Sequence, residues 1–262
     1  MALIISALLI MTPVILALIG STHTTFEANL YPPKITPGSA GITNYIRAWD
    51  FGLGRMMLNT IFVAAVVSVG KIVLSLLAAL AFVYFDFRFK SLIFVFILIT
   101  MMFPTPVRIV ALYDLVESLK MGDSYLALTA PYLASATGIF LFRQHFRSIP
   151  SSLADAARVD GAGPLRFLAY ILIPMSMSAI GALAMIQFIY MWNQYLWPLI
   201  IISSEEKQLI QLGLRMLMQD LAGEQEWGLA MAGVVISLLP PLFIFILLQG
   251  QFRKGYALAE EK

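Results

Sequence analysis

Long runs without a charged side chain constrain this chain more than any other feature. The apolar core of a bilayer takes about 20 helical residues to cross, and inside it every backbone N–H and C=O must be bonded within the protein. Runs of this kind recur along the 262 residues. They are Ala2 to Ile19; Asn59 to Tyr84, broken by Lys71; Ser91 to Phe103, which meets Pro104 and Pro106; and Ser124 to Phe142. Then come Phe167 to Ser204, with room for one span plus an interfacial piece, and Trp227 to Phe252, with Pro240 and Pro241 inside. The expectation is an all-α, polytopic membrane protein with about six transmembrane helices, forming a single domain over residues 1–262. Hydrophobic residues make up 60% of the chain and charged ones 12%; soluble domains carry about 25% charged residues. Little is left over for a separate soluble domain.

Lys and Arg placement sets the expected orientation. Arg88 and Lys90, then Arg143, Arg147, Arg158 and Arg166, then Arg253, Lys254 and Lys262 crowd three short flanks. Lys34, Arg47, Arg55, Arg108, Lys120, Lys207 and Arg215 are spread over longer loops on the other side. The denser set belongs in the cytoplasm. Both termini are then cytoplasmic, in a multi-pass protein of the bacterial inner membrane. Ala2 to Ile19 lacks a basic start and a convincing cleavage site, so it reads as a retained helix rather than a signal peptide. Trp49, Tyr84, Trp197 and Trp227 fall near predicted span ends, where amphipathic rings favour the interface.

Several chemistries are excluded. The chain has no cysteine, so disulfides, thiolate metal sites and cysteine nucleophiles are absent. His23 and His145 fall in loops expected on opposite sides, which argues against a paired-histidine metal or haem site. A net charge of +2 gives no reason to expect nucleic acid as a partner. Gly70-Lys71 is followed by Ile72 rather than Ser or Thr, so it is no phosphate-binding loop, and any ATP hydrolysis needs a partner. No zinc-peptidase or acyltransferase histidine pattern occurs, so an enzyme is not expected.

The segment between the fourth and fifth runs, about residues 143–174, carries the strongest local pattern. Pro150 ends what precedes it, and Ser152 with Asp155 has the spacing of a capping box. Leu153, Ala156 and Ala157 share a small apolar face that lets another surface come close. Gly161 and Gly163 end the short helix, and Pro164 suits the first position of a second one bearing Phe167 and Ile171. The result is a helix–elbow–helix at the membrane surface. It serves either as a plain amphipathic connector or as a docking site beside Asp155 and Asp160.

The run Asp155-Ala156-Ala157-Arg158-Val159-Asp160-Gly161-Ala162, with Phe167, Ile171 and Pro174, resembles the EAA loop of the permeases of binding-protein-dependent ATP-driven (ABC) importers. Asp155 replaces the usual glutamate, and Ile173 the usual leucine before the proline. Trp192-Asn193-Gln194-Tyr195-Leu196-Trp197-Pro198 and Phe252-Arg253-Lys254-Gly255 resemble the maltose-type sugar importers. Four stretches are similar to the glycerol-3-phosphate branch. They are Met57-Leu58-Asn59, Gly70-Lys71-Ile72, Pro106-Val107-Arg108-Ile109, and Ala134-Ser135-Ala136-Thr137 with Leu141-Phe142-Arg143-Gln144.

The resemblance implies the transmembrane domain of a type I importer. Its partners are a second permease, two ATPases that carry ATP and Mg, and a periplasmic or lipid-anchored binding protein; this chain itself binds no cofactor. Asp155, Ala156, Ala157, Asp160, Gly161 and Ala162 would couple to an ATPase, with Gly255 a second contact, and the loop from Ser203 to Trp227 would face the binding protein. Lys71, Arg108, Asn193 and Gln194 are candidates for the substrate pathway. Each also has a plainer reading: a snorkelling or interface lysine, an interfacial arginine, amides that hold helices together. The substrate implied is glycerol-3-phosphate or a related glycerophosphodiester, with a neutral sugar or oligosaccharide as the alternative. An ATP-independent secondary transporter is the alternative from another class, although Lys71 is nearly alone as an ionisable residue in the spans.

Overall fold

A computed structural model describes residues 2–218 and 226–260; residues 2, 4, 105 and 251–260 are described by backbone alone. Fifteen α-helices follow one another, and no strand occurs among the described residues. They are α1 Ala2–Gly20, α2 Thr25–Ala28, α3 Gly41–Ala48, α4 Gly54–Tyr84, α5 Lys90–Thr100, α6 Thr105–Ser118, α7 Tyr125–Thr129 and α8 Ala136–Ser148. After these come α9 Ser151–Val159, α10 Pro164–Phe167, α11 Ile173–Met175, α12 Met177–Trp192, α13 Leu196–Ile201, α14 Ile210–Met218 and α15 Trp227–Glu260.

The six uncharged runs map onto six helical segments of three kinds. Two helices, Gly41–Tyr84 and Trp227–Gly250, are long and apolar enough to cross a bilayer unbroken. Two bent pairs are long and apolar enough only when taken together: Tyr125–Tyr132 with Ala136–Ser148, at 43°, and Pro164–Met175 with Met177–Trp192, at 81°. Ile5–Gly20 and Lys90–Thr100 are shorter apolar helices. The third run therefore stops sooner than its composition suggests, because Pro104 has no N–H to give and caps α6 instead. The fifth run, read as one span plus a tail, is broken at Ser176 and again at Asn193–Tyr195. In contrast, α15 continues through Pro240 and Pro241.

The chain forms two compact units, each assembled from sequence-distant segments: Met1–Phe62 with Trp192–Phe243, and Val63–Met191 with Ile244–Lys262. In the first, small residues let helices approach closely, as membrane helices require. Gly213 of α14 lies against Met56 and Leu53, and Gly233 of α15 against Leu53, Leu214 and Leu217. Polar groups there are satisfied across helices. Asn59 Nδ2 donates to the carbonyls of Glu206 and Gln208 at 2.7 and 3.0 Å. Thr60 Oγ1 accepts the Ile210 N–H at 2.9 Å. Buried Asn44 donates to the carbonyls of Ser21 and His23, and His23 Nε2 donates to the Thr36 carbonyl at 2.8 Å.

The second unit is built around Leu76, Ala79, Leu80, Phe142, Phe146, Phe167, Leu172 and Leu183. Tyr84 stands edge-on to Phe167 at 5.1 Å between ring centres, and its hydroxyl donates to the Phe146 carbonyl at 3.4 Å. The Arg143 guanidinium lies 4.0 Å over the Phe94 ring. His145, expected in a loop, lies within α8, its Nε2 3.2 Å from the Met175 carbonyl oxygen.

Candidate functional site

The elbow forms for local reasons. Helix α9 begins one residue before the expected cap, after Pro150, and no side chain caps it. Asp155 therefore does not complete a capping box with Ser152; its Oδ1 accepts from Arg158 Nη1 at 3.1 Å. The helix ends in a Schellman turn. The Ala162 N–H bonds the Ala157 carbonyl at 2.8 Å and the Gly161 N–H bonds the Arg158 carbonyl at 3.0 Å. Gly161 has φ +72°, a left-handed value that disfavours any side chain. Gly163 then caps α10, whose first residue is Pro164.

The two faces of α9 divide differently from the sequence expectation. Ala154 and Ala157 are buried against this chain's own core, and Leu153 packs beside them. Ala157 thus holds the elbow to the chain rather than presenting it. The exposed surface includes Asp155, Ala156, Arg158, Val159, Asp160 and Gly161; Asp155 and Arg158 side chains are 67% and 65% exposed. Beneath α9 lies a cavity of about 320 Å³ lined by Leu80, Tyr84, Asp86, Ala157, Pro164 and Phe167 among others. From Phe167 the chain continues through a π-helical segment, Leu168–Leu172, into α11 and turns sharply at fully buried Ser176, whose hydroxyl donates to the Leu172 carbonyl at 2.6 Å.

A second site surrounds Lys71, midway along α4. Lys71 is 6% exposed, and its Nζ donates to Gln187 Oε1 of α12 at 2.5 Å. The same Nζ lies 5.1 Å from the centre of the Tyr190 ring and 6.0 Å from that of Tyr132. Arg108 of α6 is exposed. The Tyr132 hydroxyl is buried without a hydrogen-bond partner. Lys71 thus meets Tyr132, Gln187 and Tyr190, partners that sequence reading missed. A usable signal existed: Gln187 is the only amide side chain in α12.

The remaining candidates lie elsewhere. Asn193 and Gln194 belong to the other compact unit, where they form the break between α12 and α13. Gly255 falls outside the fully described residues. The expected outer loop from Ser203 to Trp227 is partly a helix, α14, that buries Ile210, Leu212, Leu214 and Leu217; residues 219–225 lie outside the described ones. Among the described residues no group of three or more His, Asp or Glu side chains could hold a metal ion.

Comparison with known proteins adds an independent line. Residues 71–257 match the family described as the binding-protein-dependent transport system inner membrane component. The chain is 38% identical to the sn-glycerol-3-phosphate transport system permease protein UgpE of Escherichia coli O1:K1 and to that of Rhizobium meliloti strain 1021. Each match covers 99% of this chain and 95% of the relative. The corresponding Yersinia pestis protein is 37% identical over the same shares. In three dimensions the chain is similar to a chain in the crystal structure of a bacterial ABC transporter involved in import of the acidic polysaccharide alginate. The TM-score is 0.85 at 23% identity, over 96% of this chain and 94% of that one; at that identity the likeness speaks for the fold.

Proposed function

Because the chain belongs to the family of binding-protein-dependent transport system inner membrane components, we propose that it is the permease subunit through which an ATP-driven importer takes up glycerol-3-phosphate. It is a transporter subunit with the all-α fold of a type I importer, and ATP hydrolysis is the task of partner ATPases. The observation that carries the substrate is the 38% identity, along essentially the whole chain, to permeases named for sn-glycerol-3-phosphate.

In this reading the exposed surface of α9 enters an ATPase cleft, and Asp155 and Asp160 meet basic groups there through charge-assisted hydrogen bonds. Ala156 allows close approach, while Ala157, Gly161 and Ala162 hold the elbow's shape. Gly255 is a second ATPase contact. A second permease completes the pathway, a binding protein delivers the substrate, and Lys71, Arg108, Asn193 and Gln194 line the route. Both termini and the elbow face the cytoplasm. ATP then biases a two-state element: closing the ATPases moves the elbows and exposes the cavity to the other side.

The test is reconstitution in lipid vesicles with the partner permease, the ATPases and the binding protein. Glycerol-3-phosphate-loaded binding protein should stimulate ATP hydrolysis and import, and Asp155→Lys should abolish most of that stimulation. Stimulation by a neutral sugar alone would keep the importer and discard the substrate. Full coupling in Asp155→Lys would remove the role given to the elbow's acidic residue.

A further inference from the structure

An ammonium buried among membrane helices needs an anion or a dense shell of acceptors to replace its hydration. Lys71 has neither in full. Its hydrogen-bonded partner is one neutral amide, and two tyrosine faces supply the rest. Among the described residues no carboxylate forms an ion pair with it. Tyr132, 9% exposed, holds a hydroxyl with no partner beside this cation. A buried ammonium without a carboxylate and an unused O–H donor are therefore gathered in one cluster.

We propose that Lys71 and Tyr132 form a station for the phosphate of a phosphomonoester as it passes through the permease. This rests on the import reading above and deepens it by naming the groups that take the charged end of the substrate. One Lys71 N–H is committed to Gln187 Oε1, which leaves two for phosphate oxygens. The Tyr132 hydroxyl donates a third bond. Tyr190 holds the ammonium through its ring face when no substrate is present, at 5.1 Å. A ring is a weaker partner than a carboxylate. The lysine is kept in place without a counter-charge, and the site binds without trapping.

The substrate itself provides a charge-sensitive readout. A phosphomonoester loses its second proton near about pH 6, so it is a monoanion at about pH 5 and a dianion at about pH 7.5. Import of glycerol-3-phosphate by the complete reconstituted complex is measured at both values, and each variant is expressed relative to the unaltered protein at the same pH. Lys71→Gln is expected to lose at least about tenfold at the higher pH and less than about threefold at the lower. Tyr132→Phe, which removes one oxygen and keeps the ring, is expected to lose about threefold, again mainly at the higher pH. Losses that are equal at the two values, or no loss in either variant, overturn the station and leave the import reading intact. No import by the unaltered complex overturns the import reading, and the station falls with it.

Discussion

At the residue scale, the left-handed Gly161 gives the sharpest expectation. A Cβ built there meets nothing within 4 Å, so only the backbone resists substitution. Gly161→Ala should destabilise by about 1 kcal/mol, and Gly161→Asn by less, because asparagine tolerates this region. Thermal unfolding in detergent would show it; equal effects of the two would mean the turn relaxes. Glu27 provides a pH test. Its carboxyl is held down at about 2 from an ordinary 4.5, chiefly by the hydrogen bond from Lys34 and then by the Thr24 N–H. A depressed carboxyl contributes stability above its unfolded pKa and loses it as pH falls toward the folded one. The 24–34 loop should therefore keep its structure at pH 5 and loosen between about 4 and 2. In Lys34→Met the pH-dependent loosening should be smaller and complete at a higher pH, as limited proteolysis would report. Such residues differ in legibility. Gly161 stands out in a local motif, whereas Lys71 and Gln187 are 116 residues apart and only the fold pairs them.

At the scale of elements, the uncharged runs marked where helices are but not where they bend. Charge and proline are the punctuation of a membrane sequence. The stretch Phe167 to Ser204 carries no charge, so nothing in its hydropathy announced the 81° turn at Ser176. That turn depends on tertiary bonds, including the contact of His145 with the Met175 carbonyl. The exposed and buried faces of α9 were misjudged for a related reason. Ala156 and Ala157 are chemically identical, and only the position of Phe167 and Leu80 beneath the helix decides which is buried. Helix packing gives its own prediction at Gly138, near the start of α8. A Cβ there would press on Ser75 of α4 and on Leu183 of α12. Gly138→Val should push three helices apart and lower stability by about 1–3 kcal/mol, while Gly138→Ala costs less. Detergent denaturation curves of the two variants would check the order; a harmless valine would mean that α8 does not hold these helices at this distance.

At the scale of the whole molecule, the proposal stands on topology. In the proposed topology, about six crossings with basic residues concentrated around the elbow put the elbow and both termini on the ATPase side, and the loop that carries Tyr31 on the other. The charge contrast is one of density, since the opposite loops also carry Lys34, Arg47 and Arg55. The absence of native cysteine makes the chain its own blank for the decisive labelling experiment. Tyr31 is 95% exposed and Ser152 is exposed on α9, so a thiol at either position can react without unfolding the protein. In intact cells a membrane-impermeant maleimide should modify Tyr31→Cys and spare Ser152→Cys, and permeabilisation should make both reactive. The inverted pattern would place the elbow where no ATPase can reach it, and coupling through Asp155 would then be untenable. Labelling of both in intact cells would mean that an even number of crossings, not the proposed three, separates the two positions. The short helix α5 and the bent pair of α7 and α8, which lie between the two positions, would then be the spans to reassign, because neither is an unbroken helix long enough to cross.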